Sequence, residues 1–446
     1  MAEVSSITKV NFFRGYGIYT SGPYAERLLS CRSLKPLIIS DIYNRSDTLL
    51  CEKGGAFDVD ALSSLQNQHL KIPFDLCVKI SNSLSGAELE LDIQQSIHNH
   101  TFLSALVERY SLLPFIATQC DQLSQHPLLQ QKLTVMKTTE VFLYRRTLFT
   151  ALLGVMMIKE MRLPAVECEN IFFAALYHDI GLLHIDPNLL EDRRSMGAAD
   201  LLQLHAHVRI AQALMVLEGV ADVTVIDAVI EHQERCDGTG YPNGKLESEM
   251  GFLGQILGLA DGAVAIYLKR MQPQGRGWHE VAGVIALSRQ AYLYRAVDIL
   301  QSLVRQSELP LTNVVSGADI FGFSTRVLTE CAFLQKWFEV LRFHLMGLGF
   351  IHGDRHLHAL QNSVLHIAVA YKQVLHCETS LIDHESNGSE IEGNIEDLYL
   401  MAQELAYHVR RLSQMLQSYL AENRASDPAL HKALDRCLSQ IEEYLI

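Results

Sequence analysis

The sequence predicts a mainly α-helical protein, in which a helical bundle follows a small α/β module and precedes a helical extension. Three observations lead there. Apolar residues recur at helical spacing from about residue 100 onward, as at Leu103, Leu106, Val107, Tyr110 and Leu113. Strand-like runs closed by glycines and turn residues are confined to the region before it. Three histidines and two aspartates (His178, Asp179, His207, His232 and Asp261) fall in separate segments of the helical part. Ligands projecting inward from facing helices are how all-α bundles build metal centres.

Residues 1–95 form the α/β module. Gly15, Gly17, Gly22 and Pro23 break any periodicity, so residues 1–34 are expected to be irregular. Residues 37–43 read as a strand, Asn44 to Asp47 as a turn, and Thr48 to Cys51 as its hairpin partner, ended by Gly54 and Gly55. Asp58 or Asp60 caps a short helix through Leu62, Leu65 and Leu70, and residues 76–80 read as a further strand.

The helical domain spans residues 100–345, with its motifs in 135–275. One long helix is expected from Lys132 to Met161, stopped before Pro164. An apolar helix from Cys168 to Tyr177 delivers His178 and Asp179 at its end. Helices over 200–218 and 223–231 carry His207 and lead into His232, and one over 251–268 holds Asp261. Several packed helices fill 277–345. The extension, 346–446, holds an acidic linker from Asp383 to Glu390 and a long helix with an apolar stripe running from Leu398 to Leu420. That stripe suits packing or a homodimer surface. A last short helix follows Pro428.

A chain of 446 residues has room for two or three domains with sizeable cores. Its formal charge of −14 and the lack of a basic stripe argue against general nucleic-acid binding. An anionic substrate then depends on locally placed ions and arginines. Nine scattered cysteines without a Cys-x-x-Cys pair read as reduced thiols, and the N-terminus does not read as a signal peptide. The most apolar run, Ala151 to Ile158, is short for a bilayer span. The expectation is a cytoplasmic protein with no membrane partner.

Imidazole and carboxylate together suit Fe, Mn, Zn or Ni. A lone histidine at a helix end is usually a hydrogen-bonded core residue, whereas five such groups together point to one or two divalent ions. Asp237 to Pro242 reads as a glycine-rich turn. His352 and His356, four apart, share a helical face suited to zinc, although Gly353 weakens a helix there.

His178-Asp179-Ile180-Gly181 with Asp237-Gly238-Thr239-Gly240-Tyr241-Pro242 resembles the HD-GYP family, the bacterial hydrolases of cyclic diguanylate (cyclic di-GMP). The resemblance covers about a third of the chain and includes the spacings between motifs. It implies an HD-type helical bundle acting as a metal-dependent phosphodiesterase on cyclic di-GMP or a related nucleotide. Asp179 would bridge two ions, with His178 and Asp261 on the first and His207 and His232 on the second, His178 and Asp179 being the catalytic pair. Two such ions activate a hydroxide and clamp the phosphodiester. The family's loop helps choose partners, which makes Asp237 and Tyr241 recognition candidates and the loop a protein-docking surface. Arg270 matches a phosphate-contacting arginine.

The departures are as specific. Leu182 stands where the family has lysine, Gln233 where it has a second histidine, Arg146 where it has an upstream histidine, and Phe142 where three-metal members have glutamate. Arg146 would put a fixed positive charge where the first ion sits, unless His184 or His205 restores a ligand. The conserved-type ligands favour a hydrolase. Leu182, Gln233 and Arg146 favour a non-catalytic signalling protein that binds cyclic di-GMP or protein partners. A third reading is an HD-type hydrolase of another phosphorylated nucleotide.

Overall fold

The computed structural model of the chain describes residues 22–191, 196–310, 320–347, 354–383, 388–421 and 427–442. It is mainly helical, with short strands near the start. Contacts divide the chain into two compact units. The first takes its described residues from 1–196, 202–232 and 251–261, and the second from 197–201, 233–250 and 262–446. This division cuts across the order of module, bundle and extension: the α/β residues share a unit with the motif helices, and residues 262–345 share one with the C-terminal helices.

In the first unit the expected strand over 37–43 is two. Pro36–Ile38 pairs antiparallel with Val78–Ile80, and Ile42–Tyr43 pairs with Leu49–Cys51. Asp58 is the cap of helix Val59–Leu65, accepting from Ala61 N at 3.0 Å. The start is less irregular than expected, because Gly22–Ser30 is a helix with Pro23 in its first turn. Its Arg27 donates to the carbonyls of Leu183 and Ile185 at 2.8 and 2.9 Å, pinning the turn that follows Asp179.

The long helix expected from Lys132 breaks at Glu140 into Pro127–Thr139 and Val141–Glu160. Thr138 and Thr139 end the first piece with hydroxyls turned back on the carbonyls of Thr134 and Val135, a local bond that competes with helix continuation. Every residue from Arg146 to Ile158 is buried, so Val141–Glu160 is the central helix and its all-round apolarity is that of a core. By length and composition it and Phe252–Gln274 are apolar enough to cross a membrane, with 78% and 67% of their most apolar windows buried inside the protein. Gly154 lets helix Ala165–Tyr177 approach closely, since a Cβ there would lie 2.9 Å from Ile171 Cγ1.

In the second unit, helices Ile320–Leu341, Arg355–Asp383, Gly388–Ala421 and Pro428–Glu442 share a core that includes Trp337, Leu360, Leu412 and Ile441. Leu398, Leu405, Val409, Leu416 and Tyr419 of the apolar stripe are buried in that same core. The stripe is therefore covered within its own chain, and the homodimer surface it suggested is internal packing. His352 lies outside the described residues, as do residues 384–387 of the acidic linker.

Candidate metal centre

Each histidine of the expected set sits at a helix boundary, where the backbone frees a side chain to turn inward. Helix Ala165–Tyr177 ends at His178, and Asp179 leaves the helix with φ −108° and ψ 3° before a tight turn over Ile180–His184. That break lets two adjacent side chains face one place: His178 Nε2 lies 3.1 Å from Asp179 Oδ2. The helix expected over 200–218 is interrupted at Ala206, so His207 opens helix His207–Glu218. His232 closes Val223–Glu231, and Asp261 comes from within Phe252–Ile266. All five are buried.

The three imidazoles are held alike. His178, His207 and His232 each set Nδ1 against the carbonyl three residues back (Ala175, Leu204 and Val229) at 2.6, 2.7 and 2.7 Å. In the neutral ring this makes Nδ1 the donor and leaves the Nε2 lone pair for an ion, the second-shell arrangement of metal-binding histidines. The Nε2 atoms point at one carboxylate: His207 and His232 lie 3.5 and 3.7 Å from Asp179 Oδ1. His178, Asp179 and His232 each present a ligand atom within 4.8 Å of the others. His178 Nε2, Asp179 Oδ2 and Asp261 Oδ1 are buried and make no hydrogen bond. A set of buried, convergent, incompletely satisfied N and O donors fits a divalent transition ion.

Burial disfavours the charged imidazolium at both His178 and His207, but with different outcomes. For His207 it prevails and pulls the pKa down to about 3. For His178 the carboxylates of Asp179 and Asp261 overcome it and push the value up to about 10. Both aspartates are held well below the carboxylate range despite burial, Asp179 by His178 and Arg146, Asp261 by Arg146 and His178. Arg146 is the second cation of the site, with Nη2 2.5 Å from Asp261 Oδ2 and Nη1 3.4 Å from Asp179 Oδ2.

Gly181 sets the position of His207, because a Cβ on it would overlap the His207 carbonyl. Gly181→Ala is expected to push the start of helix His207–Glu218 away and weaken divalent-ion affinity about 10- to 100-fold, the scale of disturbed ligand support. Calorimetric titration with Mn(II) checks it, and unchanged affinity would remove His207 from the ligand set.

The replacement ligands do not both hold up. His184 is turned elsewhere, with Nε2 2.9 Å from Lys132 Nζ and 3.5 Å from Asp75 Oδ1, because that buried ion pair claims it. Leu182 is a buried core residue, and Phe142 is exposed at the surface.

The other recognition candidates lie in the second unit. Asp237 accepts from Thr239 N and Thr239 Oγ1 at 3.0 and 2.6 Å and faces His366 Nδ1 at 3.6 Å. Arg411 Nη2 donates to Thr239 O and Oγ1, both at 2.8 Å, and Glu234 accepts from the backbone of Asn243 and Lys245, so the loop around Tyr241 is braced on both sides. Sequence reading missed Arg411, whose place beside Thr239 leaves no local signal. Arg270, expected to face a phosphate, donates instead to Glu404 Oε2 at 2.6 Å. Burial would raise Glu404, but His408 and Arg270 outweigh it and hold it at about 2. A carboxyl depressed from 4.5 to about 2 contributes stability above pH 4.5 that is lost as pH falls toward 2. Acid unfolding of Glu404→Gln, followed by circular dichroism, should therefore be flatter over that window; an identical profile would show that the pair contributes nothing.

Residues 122–293 match the family described as "HD domain". Cyclic di-GMP phosphodiesterase PA4108 of Pseudomonas aeruginosa is 23% identical over 160 residues, 36% of this chain and 38% of that protein. Cyclic di-GMP phosphodiesterase PdeB of Borreliella burgdorferi is 25% identical over 142 residues, 32% of this chain and 37% of that protein. The chain thus matches less than two-fifths of either relative's length. Among solved structures, Bd1817, an HDG"Y"P protein from Bdellovibrio bacteriovorus, aligns at TM-score 0.33 and 18% identity over 61% of this chain and 97% of that one. The V. cholerae cyclic GMP-AMP specific phosphodiesterase V-cGAP3 aligns at 0.31 and 14% over 70% and 97%.

Proposed function

We propose that the histidine–aspartate centre of this chain, whose residues 122–293 match the HD domain family, hydrolyses a phosphodiester bond of a cyclic dinucleotide, cyclic di-GMP being the substrate. The observation that carries the reading is the common posture of His178, His207 and His232, each anchored through Nδ1 with Nε2 turned to Asp179. When bound there, a divalent ion such as Fe, Mn or Zn lowers the pKa of water toward neutrality and draws charge from a phosphate oxygen. Burial of the ligands keeps bulk water from screening that interaction. Asp179 and the three imidazoles hold the ion, and Asp237 and Tyr241 are assigned to recognition. Arg270 is engaged with Glu404 through Nη1.

A second reading, a receptor that binds the dinucleotide without turnover, is favoured by Arg146, which already answers both carboxylates. The full chain, reconstituted with Mn(II) or Fe(II) and given cyclic di-GMP, should release linear dinucleotide or GMP in a chelator-sensitive way. Binding without product supports the receptor. Neither binding nor product sinks both.

A further inference from the structure

The two oxygens of Asp179 face different company. Oδ1 is turned to imidazoles, at 3.5 Å from His207 and 3.7 Å from His232. Oδ2 is turned to His178 at 3.1 Å and to the Arg146 guanidinium at 3.4 Å. Beyond Oδ2 lies Asp261, whose Oδ2 already accepts from Arg146 Nη2 at 2.5 Å. Three aromatic rings stand around the imidazole side, with His178 and His207 edge-on to His232 at centroid separations of 5.0 and 5.5 Å.

We propose that this centre takes a single divalent ion, held by Asp179 with His178, His207 and His232, and that Arg146 serves as the second cation. The proposal rests on the reading of the cluster as a metal centre. It departs from the two-ion arrangement that the family resemblance implies, and the reason lies in this chain's own residues.

Three physical facts support it. A guanidinium stays protonated at any working pH, so unlike an ammonium or imidazolium it cannot yield its place by losing a proton. Expelling Arg146 would leave its buried charge and two buried carboxylates to find new partners, and breaking such a set is strongly unfavourable. The charges also close with one ion. One guanidinium faces two carboxylates, and a single dication then leaves the site modestly positive and ready for a phosphate. A second dication would have to share Asp179 Oδ2 and Asp261 with the guanidinium, against like-charge repulsion in a buried setting. The arrangement also keeps a function for Arg146: its planar donors beside the ion suit a phosphate oxygen better than a spherical charge would.

The test is a count on the full-length chain, stripped by chelator and titrated with Mn(II), by elemental analysis after gel filtration and by electron paramagnetic resonance. Wild type should hold one equivalent with the six-line spectrum of an isolated Mn(II). His232→Ala should hold none. Arg146→His, which trades a guanidinium for a ligand, should hold two equivalents with an exchange-coupled spectrum. Two equivalents in wild type, or none, overturn the proposal, and so does a folded Arg146→His that holds only one. If Arg146→His does not fold, the wild-type count still decides. One equivalent without cyclic di-GMP hydrolysis would end the hydrolase reading and leave the one-ion centre standing.

Discussion

Asp179→Asn is expected to abolish divalent-ion uptake and to lower phosphodiester turnover by about 10²-fold or more, the scale of removing one charge-stabilising group from a reaction centre. Asp179 is the carboxylate on which His178, His207 and His232 all converge, and an amide cannot supply its charge. The fold should survive the change. Arg146 then keeps Asp261 as its counter-ion. Metal content and thermal melting measured side by side separate the two effects. A variant that melts like wild type without its ion fits this account; one that keeps its ion contradicts it.

The largest expected loss of stability lies away from the centre, at Lys132→Met. Lys132 and Asp75 are both buried and form an ion pair, with His184 Nε2 2.9 Å from the ammonium. Burial pulls Lys132 down to about 8, against the opposing pull of Asp75. Removing the ammonium leaves Asp75 as a buried charge without its counter-ion, which costs about 3–5 kcal/mol. Restoring the balance with Lys132→Met and Asp75→Leu together should recover most of that, because a matched apolar pair needs no desolvation of charge. Urea unfolding of the single and double variants measures both numbers. A single variant within about 1 kcal/mol of wild type would mean that water reaches the pair.

The second result bears on the site as well. Lys132 and Asp75 hold His184 at the end of the Ile180–His184 turn, and Arg27 holds the carbonyls of Leu183 and Ile185 from another helix. The residues following Asp179 are thus fixed by groups far away in sequence.

The helical class, some of the helix ends, and the five candidate ligands were legible in the chain alone. Apolar spacing, helix stops such as Pro164, and a histidine beside an aspartate at a helix end are local signals, and the physics that makes them helices or helix ends is local too. Tertiary structure decided the rest. Helices broke at Glu140 and Ala206 although the periodicity ran on unbroken in sequence, the first just after threonine hydroxyls that turn back on their own helix. The expected strand divided because Pro36–Ile38 found its partner at Val78–Ile80 rather than in its own hairpin. His184 went to Asp75, Arg270 to Glu404, and the apolar stripe to the core of its own unit. Arg146 was visible as a substitution, but its meaning was not. Only packing shows the guanidinium between Asp179 and Asp261, because ion pairs between residues more than a hundred positions apart are set by which helices meet, and helix periodicity carries no record of that.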